Sequence, residues 1–324
     1  MLHMRVISPP SLTEEITGYL SEATGVTNLA VLPGAARRPA GDLLICDVAR
    51  EAANDVIARL KEFRLDSVGS IAVERVDLSV SEVAEQAREE APGESDDAVI
   101  WEELADRAAS ESRTTWAFLA FMAIAVQLVA IAVVVDSTVL IVGAMVLGPE
   151  FGAVTAICFG LLGRRWGLIG SSLRTLLVGF AFGIAVTFAC AFVSRGLGWL
   201  DPGMLSEREA VQFIVKPDRW SFIVAVLAGA AGVLSITAGK SSPLVGVFIS
   251  VTTVPAAGYV ALAVALGDWD DVGGSLAQLA MNIAAMAVAG TATLYIQRFL
   301  WSRYGRSAPQ RLRSTLMTET RPRG

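Results

Sequence analysis

Apolar and polar positions follow three successive patterns along the chain. In the first, Met4–Ser8 alternates with a period of two, which predicts a short strand. After Pro9-Pro10 the period changes, and Leu12, Ile16 and Leu20 recur at helical spacing. Ser11, with Glu14 three residues on, has the form of a capping box. Val26–Leu32 is strand-like, Pro33-Gly34 opens a loop through Pro39, and Asp42–Val48 reads as the second strand of a hairpin. Ala53–Phe63 places Val56, Ile57, Leu60 and Phe63 on one helix face, and Ile71–Leu78 supplies a last strand. The order β-α-β-β-α-β over residues 1–80 predicts a small α+β domain of ferredoxin-like plan. Arg37-Arg38 and Asp47 form no ligand motif, so the expected role is assembly or regulation.

The second pattern, residues 81–114, is an acidic helical connector. Eleven acids face two bases, Arg88 and Arg107, over residues 81–112. Ser81–Glu90 suits a helix, Pro92-Gly93 breaks it, and Ser95–Ser112 resumes with a narrow stripe of Trp101, Leu104, Ala105 and Ala108. A solvated connector with one face packed on the first domain accounts for such a charge run.

The third pattern, 115–300, is a series of apolar runs about as long as a bilayer core requires. Six qualify: Thr115–Val135, Thr138–Leu162, Leu168–Val193, Ser221–Ala238, Leu244–Leu266 and Gly274–Leu300. The 324-residue chain is 53% hydrophobic, which suits a polytopic α-helical membrane protein. Arg164-Arg165, Lys240 and the basic tail 301–324 mark one side, so the expected arrangement is multi-pass in the cytoplasmic membrane with both termini inside. Trp116, Trp166, Trp199, Trp220, Trp269 and Trp301 fall near span ends, where the bilayer interface favours indole. The formal charge of −6 is local to the connector and names no partner; nucleic acid is not expected. Three cysteines and a single histidine, His3, argue against a disulfide framework, a metal site or any cofactor. The clustered nucleophiles and bases of a membrane enzyme are also missing from the sequence.

Span two holds the candidate chemistry. Gly148-Pro149 interrupts it near its middle and Glu150 follows. Proline removes a backbone donor, so the helix is expected to break there. Lipid satisfies no freed backbone group, which makes a break beside a carboxylate a candidate transport site. Pro149-Glu-Phe-Gly152 has a counterpart 106 residues later, Pro255-Ala-Ala-Gly258 in span five. The same offset lays spans one to three on spans four to six. The expectation is two inverted three-helix repeats, 115–195 and 221–300, with broken helices two and five. Candidate binding residues for a small ion or solute are Pro149, Glu150, Gly152, Thr252, Thr253, Pro255 and Gly258. Gln127 in span one and Asn282 in span six join them as further midspan polar groups.

Ser137–Gly152, containing Val-Gly-Ala-Met-Val-Leu-Gly-Pro, resembles the signature of the prokaryotic "domain of unknown function 389" membrane family. Leu227–Ser235 and the stretch from Gly246 to Val254-Pro255 share that resemblance, which covers about 115–300. The family brings no established substrate, and Glu150 departs from the apolar residue expected after that proline. The expected function is a secondary transporter or channel-like permease, with the N-terminal domain regulating it or holding a homodimer. The alternative is a non-transporting sensor or scaffold.

Overall fold

The computed structural model describes residues 1–76, 78–91, 99–200, 219–238, 253–269 and 272–304. The chain divides into two compact units, one built on Met1–Glu102 and the other on Glu103–Gln297.

In the first unit, β1 (Leu2–Ser8), β2 (Val26–Arg37), β3 (Ala40–Val48) and β4 (Ser70–Arg75) form one sheet in the order β2-β3-β1-β4. All its pairings are antiparallel. Helix α1 (Pro10–Glu22) follows β1, whereas α2 (Ala53–Glu62) and a single turn, α3 (Leu65–Val68), precede β4. Leu2, Met4 and Val6 alternate onto the buried face of β1, against Ile16 and Leu20 of α1 and Val56, Ile57 and Leu60 of α2. Gly41 and Gly69 let β3 and β4 close on the end of β1. A Cβ at either would lie 2.3 Å from the Ser8 carbonyl oxygen or 2.1 Å from that of Ile7.

Three local expectations are corrected. Ser11 does not cap α1, because the helix starts at Pro10, whose fixed φ suits a first turn, and Pro9 occupies the cap position without a side-chain bond. Pro33-Gly34 does not end β2; the strand continues to Arg37 through an irregularity between Leu32 and Ala36. There the Gly34 N–H donates to Asp42 Oδ1 at 2.7 Å across the hairpin. Finally, β4 stops at Arg75.

Helix α4 (Glu82–Glu90) is capped by the Ser81 hydroxyl, which accepts from the Ala84 N–H. Ala91 and Ile100 belong to the core of the first unit, and Asn54 clips the same segment by bonding the Val99 carbonyl and the Trp101 N–H. Helix α5 (Trp101–Glu111) follows non-helical Val99 and Ile100 and buries Leu104 and Ala108, while the expected Pro92-Gly93 break and residues 95–98 lie outside the described residues.

The second unit is helical: α6 (Trp116–Val134), α7 (Thr138–Leu147), α8 (Glu150–Leu162), α9 (Trp166–Gly196), α10 (Arg219–Thr237), α11 (Thr253–Leu266) and α12 (Val272–Tyr304). Four of these are long and apolar enough to cross a membrane, or five if the bent pair α7–α8 is one span. The 14-residue α11 is too short to cross alone; residues 244–252, the start of the fifth expected span, lie outside the described residues, as does the tail beyond 304. Exposed tryptophans stand in the first turns of α6, α9 and α10.

Small residues set the helix contacts. Gly183 of α9 lies against Val126 and Met122 of α6, Gly229 of α10 against the backbone of Met286 in α12, and Gly232 of α10 against the Phe151 ring of α8. Gly290 of α12 meets Cys158 of α8, whose thiol donates to the Ala287 carbonyl. Thr175 of α9 donates to the Ser112 carbonyl at 2.7 Å, which ties the start of the bundle to α9.

Candidate functional site

Helices α7 and α8 meet at 51°. Gly148 leaves α7 with extended dihedrals (φ −63°, ψ 122°), and its N–H reaches back to the Met145 carbonyl at 3.3 Å. Pro149 has no N–H to continue the ladder and sits at the cap position of α8 (φ −88°, ψ 7°), so Glu150 becomes that helix's first residue. The break expected from sequence is therefore present.

Glu150 is 6% exposed. The Thr253 hydroxyl, on α11, donates to Glu150 Oε1 at 2.7 Å. Among the described residues the other oxygen, Oε2, has no hydrogen-bond partner. It lies over Gly148, where a Cβ would stand 2.3 Å from Oε2 and 2.7 Å from Val254 Cγ2. Gly148 is thus part of the site, because only a missing side chain leaves room for the carboxylate.

From this hydrogen bond α8 and α11 run in opposite directions. Both pack on α9. Near its end, α8 meets the start of α9, with Gly160 against Ile169. At the end of α11, the Ala265 carbonyl accepts from Arg195, at the other end of α9. The site therefore lies at the N-terminus of α8, which carries the positive end of a helix dipole. The C-terminal end of α7, with its under-satisfied carbonyls, abuts the same point.

Other candidates fall around this pair at different distances. Pro255 is buried in the first turn of α11, and Gly152 is half-buried in the first turn of α8. Gly258, one turn further along α11, seats against Val129 and the Val126 carbonyl of α6. Thr253 is five residues earlier, about 7.5 Å of helix, which puts the pair level with the central part of α6. Asn282 is buried in α12, with Gln278 one turn before it. Thr252 lies outside the described residues. Gln127 stands in the wall of a cavity of about 190 Å³ whose lining includes neither Glu150 nor Thr253. Ala130, Ile131 and Val134 of α6, Leu262 of α11 and Ser194 and Trp199 near the end of α9 also line that cavity. The sequence offered no signal for it beyond the polarity of Gln127.

Among the described residues no cluster of three or more His, Cys, Asp or Glu side chains suits a metal ion. Residues 145–288 match the family described as Domain of unknown function (DUF389). The matched segment contains Glu150, Thr253 and both prolines. No curated protein and no solved structure matches the chain.

Proposed function

We propose that this protein is a secondary transporter or channel-like permease for a small ion or solute, embedded in the cytoplasmic membrane with both termini inside. In this reading six spans form two inverted three-helix repeats, and Thr253–Leu266 is the second half of a broken fifth span. The N-terminal unit, whose strand order suits the ferredoxin-like plan, regulates transport or holds two copies together.

One observation carries the reading: Glu150, first in α8, and Thr253 of α11 meet through a buried hydrogen bond from which the two helices diverge. Inverted-repeat transporters bind their substrates where broken helices meet. A buried carboxylate within a span is also costly enough that function is its usual justification.

A second reading, a non-transporting sensor or scaffold, draws on the close packing around the pair. The Phe151 ring fills the space beside Gly232, and Val254 is fully buried beside Gly148.

The deciding experiment is flux into proteoliposomes, screening common inorganic ions and small organic anions, with Glu150→Gln and Pro255→Ala alongside wild type. The transporter reading expects one solute to move with wild type and to slow at least tenfold with either variant. Absence of flux for every solute would favour the scaffold.

A further inference from the structure

The geometry points to a more specific assignment, which rests on the transporter reading: we propose that Glu150 is a proton-binding site, so that the coupling ion is H⁺. The case starts from what surrounds the carboxyl group. Thr253 provides one neutral donor to Oε1. At the junction of α7 and α8 the neighbour is Gly148, which has no side chain; from α11, the neighbours are Thr253 and Val254. No charged side chain among the described residues bears on the group.

An ionised carboxylate at 6% exposure without a countercharge bears a desolvation cost of several kcal/mol, which one hydroxyl does not offset. Two occupants relieve that cost. A metal cation such as Na⁺ would need several oxygen ligands around Oε2. Thr253 Oγ1 is committed to Oε1, and the space between Oε2, Gly148 and Val254 is too tight even for a methyl group on Gly148. A proton needs no such shell. It adds to Oε2, the oxygen without a partner among the described residues, and Oε1 remains the acceptor of the Thr253 hydroxyl.

The site also contains its own means of release. In this assignment water or a base reaches Oε2 when α8 and α11 part at the Glu150–Thr253 bond. Access to the proton and separation of the half-helices are then one event, as coupled transport requires.

Infrared difference spectroscopy on the full-length protein in liposomes tests this without knowledge of the solute. Wild type at neutral pH should show the carbonyl stretch of a protonated carboxylic acid that shifts down in D₂O and is absent from Glu150→Gln. Thr253→Val should move that band to higher frequency, because the carbonyl loses its donor while the acid persists. Adding NaCl at fixed pH should leave the band unchanged. Absence of the band in a folded wild type, or its removal by NaCl, would overturn the proton assignment. The flux screen fails separately: flux without the band retains the transporter and rejects the proton, whereas the band without flux retains a protonated Glu150 and overturns its role as a coupling site.

Discussion

Asp42 illustrates how a single polar residue organises a stretch of backbone. The Gly34 N–H, then the Thr13 hydroxyl, hold its carboxyl below the usual carboxylate range. The folded chain therefore favours the ionised form. Its contribution is complete above the unfolded value near about pH 4 and fades as pH falls toward the lowered folded value. Asp42→Ala should raise hydrogen exchange of the 30–37 segment at neutral pH, and the gap from wild type should narrow as pH drops through that window. Side chains of this kind also explain where local sequence reasoning failed. Pro33-Gly34 carries every sign of a loop, but Asp42, eight residues later, supplies the acceptor that keeps the strand going. Ser11 has the letters of a cap, but the two preceding prolines fix the helix start before it. The pairing of Glu150 with Thr253, separated by 103 residues, has no local signature at all.

At the level of elements, the break in the second span was legible because proline's missing donor is a local, covalent fact. Which face of each helix turns inward was less legible, because the runs are apolar all round and period carries little information. The positions that decide it are glycines. At Gly232 an added Cβ would stand 2.0 Å from Phe151 Cζ, so α10 and α8 meet at this distance only without a side chain there. Gly232→Ala should therefore lower the thermal midpoint in detergent, at a cost of about 1–3 kcal/mol typical of overpacking. Adding Phe151→Leu should recover part of the loss. If Gly232→Ala melts like wild type, the two helices are not packed as described. Gln127 was legible as a polar group but not as to its company. Its place on α6 leads to the cavity beside Leu262 and Trp199 instead of the Glu150–Thr253 pair.

At the level of the molecule, the boundary between soluble and membrane parts is less abrupt than the charge pattern implies. The acidic connector contributes Ala91 and Ile100 to the core of the first unit, and Asn54 binds the backbone at Val99 and Trp101. A fragment of residues 1–102 should therefore unfold in urea as one cooperative step, and a fragment of residues 1–80 at a clearly lower midpoint. Equal midpoints would mean that the connector adds nothing to the domain. The membrane unit carries a different consequence, set by the depth of the Glu150–Thr253 pair near the middle of α6. A proton that travels from one face to that depth crosses about half of the electrical potential. Moving one charge through the whole field is worth about 2.3 kcal/mol per 100 mV, so occupancy of the carboxyl group would change by about 1.1 kcal/mol, or about sixfold, for each 100 mV. Under the proton assignment, an energised membrane would therefore load or empty this site through voltage alone, even with equal pH on both sides.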